Sequence, residues 1–164
     1  VKTNSRLLWV LLASGLAVIS IASSLQQFQV ISGVTAVLSA TFTIYSLRLG
    51  RGRTARDRFI ERTGYLLVES ALLGSILLNP AVPRWLAVVS LLGMVWAEVL
   101  PEVYRKVFGS SIWLTMGRDV RVVLVALGVI SGSFNPALYF YMTVIYLGAC
   151  VVDVLEVTVH ARNR

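Results

Sequence analysis

The sequence predicts an all-α, polytopic integral membrane protein, a single domain over residues 1–164 built as a bundle of six transmembrane helices. Three observations carry this. The composition is 57% hydrophobic and only 14% charged, with a mean hydropathy of +0.78, outside the range of soluble domains. Six apolar runs approach the roughly 20 residues needed to cross the hydrocarbon of a bilayer. The basic residues are distributed unevenly between the connections, as the positive-inside rule requires.

Taken in order, the spans cover about residues 7–24, 28–47, 60–78, 85–100, 118–132 and 135–158. The first has no small-residue cleavage pattern followed by a polar region, so it is expected to stay as a membrane helix. The second carries Ser32, Thr35, Ser39, Thr43 and Ser46 at intervals of three and four, a hydroxyl seam suited to close helix packing. The basic stretch "RGRTARDRFIERTG", residues 51–64, leads into the third. Asn79-Pro80 and Asn135-Pro136 mark tight turns after the third and fifth spans, because the residue before proline leaves the helical region. The short fifth span is expected to extend into Arg118 and Arg121, whose side chains can snorkel to the interface.

Lys2, Arg6, the arginines from Arg48 to Arg62, Arg105, Lys106, Arg118, Arg121, Arg162 and Arg164 fall on one side, and Arg84 alone on the other. This places both termini in the cytoplasm, with the cell membrane as the expected location. It also accounts for the net charge of +7 without nucleic acid. The single cysteine, Cys150, excludes an internal disulfide and a Cys-based metal site.

The chain has eight acids, none before position 57. Asp57 and Glu61 stand four apart and share a helix face, where they could hold a hard cation such as Mg2+. Equally, they could complement the helix dipole and pair with Arg58 and Arg62. Glu69, Glu98 and Asp153 lie within apolar spans, where an acid costs about 2.5–3.5 kcal/mol to insert and therefore points to function. Asp153, Glu156 and His160 form a stripe on the last span that could make a mixed ligand set or face the bundle interior. Glu98 and Glu102 form another pair around Pro101, with Arg105 and Lys106 within reach of Glu102 for local ion pairing.

An acidic pair opening the third of six helices after a basic loop, with both ends inside, resembles the CDP-alcohol phosphotransferase family. "DRFIERTG" is similar to the second half of its signature, D-x2-D-G-x2-A-R-x8-G-x3-D-x3-D, reading here Asp57-x3-Glu61-Arg62. "VYRKVFG" and "GRDVRVVLVALG" resemble its Tyr-x-Arg stretch and its arginine-bearing entry to the fifth helix, so the likeness runs from about residue 28 to the end. The resemblance implies Mg2+ or Mn2+ held by four carboxylates, Asp57 and Glu61 among them, with Glu61 as base on the acceptor hydroxyl. It implies a homodimer and a role in phospholipid biosynthesis. The first two aspartate positions, however, hold Ala36 and Ser39, or Ala40 and Thr43 in the shifted alignment. Neutral hydroxyls and methyl groups cannot replace two carboxylates toward a pair of divalent ions.

The expectation is therefore a membrane protein related to this family, degenerate in its metal site and non-catalytic or dependent on a partner, which would be an active relative, a second copy or membrane lipid. Without catalysis no cofactor is expected. Arg105, Arg118 and Arg121 are its candidate phosphate-binding groups, since arginines at a helix entrance bind anions bidentately. One alternative is an active, atypical phosphotransferase. Another is a small oligomeric proton or cation transporter using Glu69, Glu98 and Asp153.

Overall fold

The computed structural model describes residues 2–48, 55–110, 112 and 114–163; the side chains of residues 2–6, 48 and 55–58 lie outside that description. The described chain forms six α-helices, α1 (Lys2–Leu25), α2 (Gln29–Arg48), α3 (Ala55–Leu77), α4 (Arg84–Phe108), α5 (Arg118–Phe134) and α6 (Ala137–Arg162). Each predicted apolar span lies on one of them. The helices run past the spans at their charged ends because Lys, Arg and Glu are good helix formers and continue the hydrogen-bond ladder beyond the apolar stretch. The largest difference is in α4, expected to stop near residue 100. It continues through Pro101, which removes only one rung, and ends at Gly109, whose positive φ of 68° and N–H to the Arg105 carbonyl close the helix.

The predicted turns take the form the Asn-Pro pairs require. Asn79 Oδ1 accepts from the Ala81 N–H at 3.0 Å, and Asn135 Oδ1 from the Ala137 N–H at 3.1 Å. Side-chain pairings fix the directions. Ser14 lies beside Gly64 and Ser24 beside Ser75, so α1 and α3 are parallel; Ser20 meets Ser32 and Ser39 meets Ala13, so α1 and α2 are antiparallel. Gln29 meets Ser133 on α5, and Gly132 of α5 packs on Tyr139 of α6. Thus α1, α3 and α5 run one way and α2, α4 and α6 the other, which brings Arg62, Arg105, Lys106, Arg118, Arg121 and Arg162 toward one end.

Four helices contain a segment long and apolar enough to cross a membrane: Leu7–Leu25, Gln29–Leu47, Arg84–Phe108 and Ala137–Arg162. Large apolar side chains on them face outward, among them Leu11, Val30, Val88, Leu92 and Leu155. A surface of that kind belongs in lipid. Two helices are less apolar: α3 bears Glu61, Arg62 and Glu69, and α5 has only 17 residues and bears Arg118, Asp119 and Arg121. These two are central. Val68, Leu72, Leu73 and Ile76 of α3 and Val122, Val125 and Val129 of α5 are fully buried in one core, joined by Tyr139, Tyr146 and Cys150 of α6. Helix α1 packs on both α2 and α3, α5 on α2, α6 and α3, and α4 leans chiefly on α6, with Gly93 facing Leu147 and Cys150.

Candidate functional site

The α1–α2 interface is built from small residues, Ala13, Ala17 and Ser20 against Ser32, Ala36 and Ser39, all buried. Small side chains let the backbones approach, and hydroxyls then find carbonyls. Ser39 donates to the Ala13 carbonyl at 2.7 Å, Ser20 bonds to both Ser32 and Ser75, and Ser46 pairs with Tyr65 at 2.9 Å. Thr43 donates to the Ser39 carbonyl of its own helix at 2.9 Å. The predicted seam therefore exists, turned toward α1 and α3 and satisfied within the protein, with Thr35 at its less buried edge.

A second polar region lies where α3, α4, α5 and α6 meet, and it is ionic. Arg121, in the first turn of α5, is 1% exposed and touches three carboxylates. Its Nε donates to Glu69 Oε1 of α3 at 2.8 Å, its Nη2 to Glu98 Oε1 of α4 at 2.5 Å, and its Nη1 to Asp153 Oδ2 of α6. Arg118, one turn earlier, grips Glu98 with two donors, Nε at 3.0 Å and Nη2, and lies over the Tyr65 ring at 5.6 Å. Tyr146 donates its hydroxyl to Glu69 Oε1 at 2.8 Å.

The depth of this cluster matters. Asp153 sits about 14 Å before the end of α6 and Glu98 about 15 Å before the end of α4, counting 1.5 Å per residue. Glu69 and Asp153 have no exposed surface. Taking several charges out of water costs several kcal/mol each, and the cost is recovered only when geometry and hydrogen bonding are good. The planar guanidinium of Arg121 meets that condition because its five N–H groups point in a fixed fork to three helices at once. Lysine could not.

Hydrogen bonding is complete for Glu98 and Glu69 but not for Asp153, whose Oδ1 is buried without a partner among the described residues. The Met116 backbone N–H turns toward Asp153 without reaching hydrogen-bond geometry. The segment entering α5 is held instead through Glu156, which accepts from both the backbone and the hydroxyl of Thr115.

The structure thus brings together Glu69, Glu98, Asp153, Arg118 and Arg121, which the sequence presents as separate acids and separate phosphate-binding candidates. Arg105 stands apart, exposed and bonded to Glu102 at 2.6 Å, as expected from their spacing; Arg62 also reaches Glu102, at 3.2 Å. Glu98 departs from the local pairing expected around Pro101, because α4 turns it inward to α5. The stripe on α6 divides: Asp153 enters the core, Glu156 meets Thr115, and His160 is exposed with Nδ1 at 2.8 Å from the Glu156 carbonyl. Glu61 is buried on α3, four residues before Tyr65, while the side chain of Asp57 lies outside the described residues. Among the described residues, no three His, Cys, Asp or Glu side chains gather closely enough to hold a metal ion.

Tyr146 is the partner that sequence reasoning passed over. Its signal was present, since it stands seven residues before Asp153 and so shares its helix face. No known protein family, curated protein or solved structure matches the chain.

Proposed function

We propose that the protein is a membrane-embedded relative of the CDP-alcohol phosphotransferases of phospholipid biosynthesis that does not carry out phosphoalcohol transfer by itself. In this reading all six helices cross the cell membrane, with both termini cytoplasmic, and the charges of α3 and α5 are tolerated because they point into the bundle. Its partners are membrane lipid and a second copy or an active relative.

One observation supports the loss of transfer chemistry: the α2 positions that the resemblance would fill with aspartates carry only small neutral side chains, Ala36, Ser39, Ala40 and Thr43, all buried. The Ser39 hydroxyl is committed to the Ala13 carbonyl of α1, Thr43 bonds within its own helix, and Ala40 faces an apolar groove against Val123, Ala126 and Leu127 of α5. This donor set does not fit a pair of divalent cations, which require carboxylate oxygen and charge. The candidate phosphate-binding arginines are likewise engaged, Arg118 and Arg121 by acids of the cluster and Arg105 by Glu102. Purified protein in liposomes, supplied with radiolabelled CDP-alcohol lipid, an acceptor and Mn2+ or Mg2+, should form product only at the protein-free background. Turnover that Glu61→Gln abolishes would overturn the proposal and favour an active, atypical enzyme.

Proton or cation transport has the buried acids in its favour. A route from them to the far end of the bundle would have to pass Leu72, Leu73, Ile76, Val125 and Val129, all fully buried and apolar. The hydroxyls beside this layer, those of Thr143 and Tyr139 of α6, are bonded to the Tyr139 carbonyl and to Gln29 rather than to the cluster. Liposomes carrying the protein should therefore show no flux above empty liposomes; flux lost in Glu69→Gln would reinstate transport.

A further inference from the structure

The ionic cluster is out of balance. Three carboxylates, Glu69, Glu98 and Asp153, face two buried guanidiniums, Arg118 and Arg121, within one contact network, while the half-exposed Arg62, which also acts on Glu98, is paired with Glu102 at the rim. If all five were charged, one negative charge would remain uncompensated in a low-dielectric interior, where an isolated ion neutralises rather than persists. A second, independent observation identifies the oxygen concerned: Asp153 has no exposed surface, and its Oδ1 alone among the carboxylate oxygens of the cluster is buried with no hydrogen-bond partner.

We propose that Asp153 is a proton-binding site, holding one dissociable proton at neutral pH as a neutral carboxylic acid within the Arg121 cluster. The proton comes from water at the basic end of the bundle and adds to Oδ1, while Oδ2 keeps its bond from Arg121. The three acids differ in their support. Glu98 accepts three N–H bonds from two arginines, and Glu69 accepts from Arg121 and from the Tyr146 hydroxyl. Asp153 accepts from one nitrogen only, so it loses least when neutralised.

Among the described residues, the charged and titratable groups around it are Arg118 and Arg121 of α5, Glu98 of α4, Glu69 of α3, Tyr146, Cys150 and Glu156 of its own helix, and at the rim Arg62 of α3, which acts on Glu98. Tyrosine and cysteine are neutral at pH 7 and do not alter the imbalance. A monovalent metal cation fits less well. It requires several converging oxygens, and Oδ1 faces none among the described residues. The site does not depend on the phosphotransferase proposal; it follows from charge and hydrogen bonding alone.

Infrared spectroscopy of the full chain in phosphatidylcholine nanodiscs tests the site directly, because a carboxylic-acid C=O stretch is separate from the carboxylate bands. In sodium-free buffer at pH 7, one such band per chain is expected. It should shift when aspartate is carbon-13 labelled at the carboxyl and stay in place when glutamate is labelled. It should vanish in Asp153→Asn. It should also vanish in Glu69→Gln, because removing one acid lets two arginines balance two carboxylates and Asp153 ionise. The labelling arm needs no variant and so holds even if a substitution misfolds. Absence of the band in wild type, a shift with labelled glutamate, or loss of the band on adding NaCl at constant pH would each overturn the assignment, the last in favour of a sodium site.

Discussion

The two polar regions of this bundle solve the same problem with different chemistry. Between α1, α2 and α3 the groups are neutral hydroxyls, each finding a carbonyl or another hydroxyl nearby. Between α3, α4, α5 and α6 they are acids and arginines, each acid held by an arginine from another helix. In lipid an interhelical hydroxyl bond contributes about 0.6 kcal/mol on average, because the separated helix can bond to itself. A buried carboxylate deprived of its arginine has no such substitute. The hydroxyl side should therefore tolerate individual losses, whereas the ionic side should behave as a unit hinged on Arg121.

Substitutions can break or sharpen that contrast. The largest effect is expected for Arg121→Met, which strands the Glu69 carboxylate and should destabilise the fold by about 3–5 kcal/mol, the range for breaking a buried ion pair. Equilibrium unfolding in mixed micelles measures this, and a loss below about 1 kcal/mol would show that water reaches the cluster. On the neutral side, steric filling should matter more than lost hydroxyls. Gly64 faces Val10 so closely that a Cβ would overlap it, and Gly64→Val should cost about 1–3 kcal/mol, typical of overpacking, read as a lowered thermal midpoint in detergent.

Asp153→Asn sharpens the contrast from inside the cluster. Replacing a neutral acid by a neutral amide of the same shape should change stability by less than about 1 kcal/mol, although breaking an ionised buried pair costs several; a drop comparable to that of Arg121→Met would mean that Asp153 is charged. Ser39→Ala should lose about 0.6 kcal/mol, detectable in a double-mutant cycle with Ser20→Ala. Smallest of all should be Arg105→Ala. Its bond to Glu102 is half exposed, and surface pairs contribute about 0–1 kcal/mol, so its unfolding curve should overlay that of wild type within error.

Much of this organisation was legible in the primary structure. The six apolar runs marked six helices, the Asn-Pro pairs marked two turns, and the three-and-four spacing of hydroxyls from Ser32 to Ser46 marked a buried face. Glu69, Glu98 and Asp153 stood out because acids in apolar helices are costly. Their partners were harder to see. Arg118 and Arg121 lie where the positive-inside rule already explains an arginine, and nothing local distinguishes one that snorkels outward from one that reaches inward. Glu98 likewise forms with Glu102 a pair around Pro101 that suggests local ion pairing, whereas its actual partners lie 20 and 23 residues further on.

The sequence by itself determined helix content, helix order and the places where charge enters the apolar region, because each depends on periodicity and composition within a few turns. Which charge neutralises which was decided only by the tertiary structure. Packing α5 among α2, α3 and α6 rotates Arg121 into contact with all three acids, and that rotation depends on the volumes of side chains far apart in the chain. Three carboxylates and two guanidiniums then share one enclosed space, and their imbalance is a property of the assembled bundle rather than of any single helix.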